Sequence, residues 1–123
     1  MVKNLNKKIS NGELRTPVTF FSSQIEEGVD GRDVSFEKVY YTFAKIYGPS
    51  SKDLELATGT NKIAKFTLKI RDPLTAYNPQ NDHFVEIHDS RNRGIKYDVI
   101  NIRPDYDDRV FLTVVIGGGN NGR

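Results

Sequence analysis

From Lys65 to Arg71 apolar and polar residues alternate without a break. Phe66, Leu68 and Ile70 fall on one face, and Lys65, Thr67, Lys69 and Arg71 on the other. A period of two is the signature of a strand with one dry and one wet face, and here the wet face is basic. The same reasoning along the chain predicts a mainly β domain. Arg15 to Ser23 reads as a first strand, with Pro17 near its start, where a missing N–H is tolerated. Phe36 to Tyr47, rich in Val, Tyr, Phe and Thr, reads as a long second strand. Its two faces, Val39/Tyr41/Phe43 and Tyr40/Thr42/Ala44/Ile46, are both partly apolar, which predicts cover on both sides.

Three further strands are expected over His83–His88, Ile95–Ile102 and Arg109–Ile116. The tight polar turn Asp89–Gly94 joins the first two as a hairpin. Within Ile95–Ile102 the apolar phase slips from Tyr97/Val99 to Ile100/Ile102, which predicts a bulge. Arg109–Ile116 is apolar on both faces and needs cover from its own domain or from a neighbouring subunit. Gln24–Ser35 and Asp72–Asp82 read as loops from their Gly, Pro, Asp and amide content.

One helix is expected, over about residues 50–58. Ser50 can cap it with Asp53 three residues on, and Gly59 is a natural stop. Two turns are marginal unless something packs on them. Residues 1–13 and 117–123 read as a flexible arm and a flexible tail around one domain spanning 14–116.

Composition narrows the function classes. The chain has 123 residues, 28% charged and 37% hydrophobic, in the range of an ordinary folded domain. No apolar run approaches the roughly 20 residues of a membrane-spanning helix. With no cysteine, neither disulfides nor thiol chemistry enter. Net charge is +2, and residues 1–62 and 63–123 each hold nine basic and eight acidic residues. A protein built to grip phosphates concentrates its basic residues, and this sequence spreads them.

No catalytic motif is present, and no cofactor is called for. His83 and His88 lie five apart on one strand and so face opposite ways, which rules out joint chelation from that strand. The carboxylates of Asp105–Asp108 lack the glycine and distal glutamate of a calcium loop. Gly117–Gly119 has too little chain after it to start a phosphate-holding helix. The expectation is a protein that is not an enzyme and holds no metal.

From Leu14 to Ile116 the order of elements resembles the phage head-closure proteins, also called head–tail joining or stopper proteins, of long-tailed phages. The likeness runs through Leu14-Arg15-Thr16-Pro17-Val18-Thr19-Phe20, the turn at Gly31, and Phe43-Ala44-Lys45-Ile46. It continues through the Ser/Asp-rich helix, Phe66–Arg71, His83–Ile87, Tyr97–Ile100 and Phe111–Val114. The resemblance implies a small six-stranded β-barrel with one short helix. It implies about twelve copies in a ring at the head–tail interface of the virion, assembled in the host cytoplasm. Portal and adaptor proteins would lie above the ring and a tail-terminator protein below, with DNA passing through without sequence-specific binding.

On that reading the connection Gly48–Lys62 lines and closes the channel. Its candidate residues are Gly48, Ser50, Ser51, Lys52, Asp53, Leu54, Glu55, Gly59 and Lys62, whose charges sum to zero. Phe111 and Val115 are the candidate subunit or partner interface. The chain is expected to stay monomeric alone and to assemble on a portal–adaptor template, with its termini and the 72–82 loop mobile until then. The rival reading is an OB-type barrel that binds single-stranded nucleic acid through Tyr40, Tyr47, Lys65, Lys69 and Arg71.

Overall fold

The alternating segments pair into one antiparallel sheet that returns to its own first strand. The computed structural model describes residues 13–28, 31–105 and 110–119. Six strands and one helix follow in the order β1 (Thr16–Gly28), β2 (Gly31–Tyr47), α1 (Ser51–Gly59), β3 (Lys62–Arg71), β4 (Phe84–Ile87), β5 (Tyr97–Pro104) and β6 (Phe111–Gly119). Strand neighbours run β1-β2-β3-β6-β5-β4, and β4 pairs back onto β1 from Val18↔Ile87 to Phe21↔Phe84. One alternate set of side chains from every strand points inward; Phe20, Ala44, Leu68, Val85, Val99 and Val114 are all shut from solvent.

The expectation of a simple six-stranded barrel is corrected by the extent of pairing. The circuit closes only at a short waist. β2 meets β3 only from Ala44 to Tyr47, and β4 meets β5 through Phe84↔Asp98 and Val85↔Tyr97. Past the waist, β1 and β2 continue together as a two-stranded ribbon, from Ser22↔Glu37 to Gly28↔Gly31. Residues 24–28 and 31–35 are therefore strand rather than the expected loop. Their charges and glycines read as a turn, but Ile25↔Val34 and Ser23↔Phe36 carry the pairing outward.

A bulge shapes that ribbon. The register steps from Phe20↔Tyr40 to Phe21↔Lys38, leaving Val39 unpaired. An extra residue moves the alternation by one position. Tyr41 and Phe43 before the bulge, and Val34 and Phe36 beyond it, therefore lie on the same outer face. At the base of the ribbon Phe36 packs edge-on against Phe21 and Phe84, with the Lys96 ammonium 4.6 Å from the Phe21 ring centroid. The bulge expected in the fifth strand is present between Val99 and Asn101.

The 72–82 connection, expected to be mobile, is tied to the core. Pro73 and Tyr77 are buried. Tyr77 stacks on Tyr40 at 4.8 Å and 14°, touches Phe20, and lies 2.6 Å from His83 Nδ1 through its hydroxyl. Burial and the nearby Asp82 charge raise the Tyr77 pKa well above that of an ordinary phenol. β6 runs on to Gly119, so residues 117–119 belong to the sheet rather than to a tail. The tail beyond them, the arm before Glu13 and residues 106–108 of the carboxylate turn lie outside the described residues.

Candidate functional site

The connection Gly48–Lys62 is built around α1, and a local signal starts the helix as the sequence predicts. The Asp53 N–H donates to Ser50 Oγ at 3.1 Å, and the Ser50 N–H donates to Asp53 Oδ2 at 3.4 Å. This reciprocal pair is a capping box. The helix ends at Gly59, where Thr60 donates its hydroxyl to the Ala57 carbonyl and Asn61 takes a positive φ of 62°. Asparagine tolerates that left-handed conformation better than most residues.

Asp53 does more than cap. Its side chain is only 2% exposed, and it accepts a 2.8 Å hydrogen bond from Thr67 of β3 and a 3.0 Å ion-paired bond from Arg103 of β5. Arg103 is steadied in turn by Asn101 Oδ1 at 2.9 Å. Burial opposes the Asp53 charge, but the Thr67, Arg103 and Ser50 partners outweigh it and hold the carboxyl below its ordinary pKa. One turn on, Ala57 is buried against Ala64, Ile100 and Val115. A short helix of marginal propensity is thus fixed to the outside of the sheet by one carboxylate and one methyl group.

The remaining helix positions follow from 100° per residue. With Asp53 and Ala57 facing the sheet, Ser51, Lys52, Glu55 and Gly59 form an outward polar ridge. Leu54 and Leu56 lie on its two flanks, both exposed. Gly48 has open space around it, and Lys62 reaches Asp98 at 3.6 Å. The expected segment therefore divides in two. Asp53 is an internal anchor, and Ser51, Lys52, Leu54 and Glu55 are the surface.

The same arrangement corrects the expected interface. Val115 is completely buried beneath α1, and Phe111 is buried as well, so neither offers a surface to a partner. The doubly apolar last strand is covered by its own chain. Sequence reasoning missed the exposed Ile25, Val34 and Phe36 of the outer β1–β2 face, and Tyr41 and Phe43, expected to be covered, are exposed on that same face. Their signal was present as alternation on both sides of Val39, but in opposite phases.

The alternative nucleic-acid face does not assemble. Tyr40 packs against the core and is closed over by Tyr77. Lys65 lies in a bulge between Ala64 and Phe66. Thr67, between the basic residues, is buried and donates to Asp53. Lys69 donates to Asp105 at 2.7 Å. Burial works against its charge, but Asp105 and Tyr47 together more than compensate and raise its pKa. Opposite it Lys45 pairs with Glu13 at 2.8 Å, so two lysines in register are each neutralised separately. Tyr47 is exposed, and Arg71 stands at the far end of β3. The two histidines are also separate: His83 meets Tyr77, and His88 Nε2 lies 2.6 Å from Thr19 Oγ1.

No protein-family model and no curated protein matches the chain. The chain is similar in structure to protein SF1141 from Shigella flexneri 2a, with a TM-score of 0.58. The match has 18% identity and covers 91% of this chain and 98% of that one. At that identity the likeness shows the fold alone. It establishes that nearly the whole arrangement, a mainly β domain with one short helix, recurs in another protein.

Proposed function

We propose that this chain is a structural protein of the phage neck. In this reading it forms a ring below the portal and adaptor, closes the DNA channel after packaging and presents the docking surface for the tail. The observation that carries the reading is the build of Gly48–Lys62. A helix of two turns sits between a glycine that has open space around it and a turn, fixed to the sheet through Asp53 and Ala57. Its outward ridge of Ser51, Lys52 and Glu55 carries no net charge. A lumen that DNA must slide past should hold phosphate weakly, and a neutral ridge suits that task. The resemblance of the order of elements in the sequence to that of head-closure proteins supports the same reading.

The test is to assemble heads of the encoding phage with and without this chain. Without it, heads should package DNA, then leak it and fail to acquire tails; added protein should restore both properties. Tailed particles that keep their DNA in its absence would refute the reading.

A further inference from the structure

One row of side chains crosses three strands on the outside of the circuit. Tyr41 of β2, Thr19 of β1 and Glu86 of β4 stand in register, with Thr19 the cross-strand partner of both others. His88, just past the end of β4, lies over the middle of that row. Its Nε2 is 2.6 Å from Thr19 Oγ1, its Nδ1 is 3.8 Å from Glu86 Oε2, and its ring is 6.3 Å from that of Tyr41. Its backbone N–H donates to the Pro17 carbonyl at 3.0 Å and so extends the β1–β4 pairing by one bond. This seam is where the circuit shuts, and β4 brings little else to it. The strand has four residues, which pair with β1 from Val18↔Ile87 to Phe21↔Phe84 and with β5 only through Phe84 and Val85.

A neutral imidazole has one N–H; a protonated one has two and a positive charge. In the neutral ring, therefore, only one of the two nitrogens can donate. Protonation puts a donor on both. The Thr19 contact survives the change, because a hydroxyl accepts as readily as it donates, and a cation now stands beside Glu86. The carboxylate is ready for it: burial opposes the Glu86 charge, but the Gly94 N–H, Lys96 and His88 outweigh burial and lower its pKa. Lys96 engages the other oxygen, Oε1, at 3.2 Å, so the carboxylate meets the two cations on separate atoms. The next carboxylate along the chain, Asp89, is turned into its own loop, where it accepts the Arg91 and Asn92 N–H groups. From β2 the row is completed by the Tyr41 ring.

We propose that His88 is a proton-set latch on the β1–β4 seam. Charged, it ties Thr19 of β1 to Glu86 of β4 and the seam tightens; uncharged, it keeps only the Thr19 contact and the seam relaxes. A histidine that gains a partner on protonation contributes stability on the acid side, and that contribution is lost as pH rises through its titration. An imidazole changes charge between about pH 5 and 8, a window in which Glu86 stays ionised. Glu86 also accepts the Gly94 N–H at 2.9 Å, so the latch reaches past the seam into the Asp89–Gly94 turn.

Amide exchange on the full chain, corrected for the intrinsic pH dependence of exchange, reads the latch directly. From about pH 8 to about pH 5.5, protection over residues 84–88 should rise about two- to five-fold, the scale of a partly exposed ion pair, while protection over α1 stays level. His88→Gln should abolish the rise. So should Glu86→Gln, which keeps a side-chain oxygen for the Gly94 N–H. His83 bonds Tyr77 instead, so His83→Gln should leave the rise in place. A rise of full size in His88→Gln or Glu86→Gln overturns the proposal, as does a flat profile in the native chain or loss of the rise in His83→Gln alone. Should the variants fail to fold, the imidazole resonances of the native chain decide. The Thr19 and Gly94 signals should move with the titration of His88; movement with His83, or none, would overturn the latch equally.

Discussion

Asp53 and Thr67 face each other across the seam between α1 and β3, joined by a 2.8 Å hydrogen bond that both residues bury. It is the innermost link of the knot that also holds Ser50 and Arg103. Removing the carboxylate leaves a buried hydroxyl and a guanidinium without their acceptor. Asp53→Ala should lower stability by about 2–3 kcal/mol, and Thr67→Val by about 1 kcal/mol. Urea unfolding measures both. Hydrogen exchange should show the loss of protection concentrated over residues 51–61 and not over β4 or β5. Uniform loss across the sheet would mean that the knot supports the whole domain rather than the helix.

The same carboxylate gives the helix an acid limit. Its pKa is lower folded than the ordinary aspartate value of 3.8. A depressed carboxylate contributes its full stabilisation above the unfolded value and loses it as pH falls through the folded value. Protection of α1 should therefore hold from neutrality down to about pH 4 and decline below it. In Asp53→Asn the decline should be shallower. An unchanged acid limb in that variant would assign the transition to Glu86, whose pKa the Gly94 N–H and Lys96 also lower against the opposing effect of burial.

Gly117 is fixed by a neighbouring strand. A Cβ there would collide with the Ile63 carbonyl oxygen and the Ala64 backbone of β3, which cannot swing aside as a side chain could. Gly117→Ala should cost about 1–3 kcal/mol in thermal or urea unfolding. Gly48→Ala, where a Cβ meets nothing, should be neutral or slightly stabilising. Equal effects of the two substitutions would contradict the close pairing of β3 with β6 at Ala64↔Gly117.

Tyr77 anchors a segment whose composition reads as a loop. Tyr77→Ala removes a buried ring stacked on Tyr40 and should cost about 3–5 kcal/mol, while Tyr77→Phe loses only the His83 bond, about 1 kcal/mol. Exchange at residues 74–83 should rise in the first variant and barely change in the second.

For the channel role, replacing the whole of residues 52–60 by a flexible linker would uncover Val115 and Ile100, because Ala57 covers them. A sharper variant keeps Asp53 and Ala57 and changes Leu54-Glu55-Leu56 to Gly-Ser-Gly. The strand spectrum in circular dichroism should persist, and particles should incorporate the protein but lose DNA before tails attach. Normal DNA retention by such particles would remove this segment from the closure step.

Where local chemistry decides structure, the sequence was legible. Ser50 and Asp53 marked the helix start, and Phe66/Leu68/Ile70 marked an inward-facing strand edge. The slip between Val99 and Ile102 marked a bulge. What was not legible depends on contacts between distant segments. Alternation states that Thr67 differs from Leu68 but not that a helix will lie over Thr67. It states that Val115 needs cover but not that Ala57 supplies it. The ribbon was read as a loop because Gly28, Gly31 and the two Asp residues between Gln24 and Ser35 outweigh Ile25 and Val34 in composition, whereas cross-strand pairing depends on position. The helix expected at about residues 50–58 was placed correctly along the chain, while its anchor could be assigned only once β3 and β5 were seen beside it.

Val39 works like a one-letter insertion in a reading frame. Every residue of β2 before it is read in one frame of the sheet and every residue after it in the other, and the outer face is the message that makes sense only with the insertion in place. Deleting Val39 would leave composition almost untouched, yet would exchange the Val34/Phe36 set with the Ser35/Glu37 set across the ribbon. The chain can therefore drift widely in the identity of its ribbon residues while being nearly intolerant of a change in their number. Among distant relatives, the length between Phe36 and Tyr40 should be held more tightly than the residues themselves.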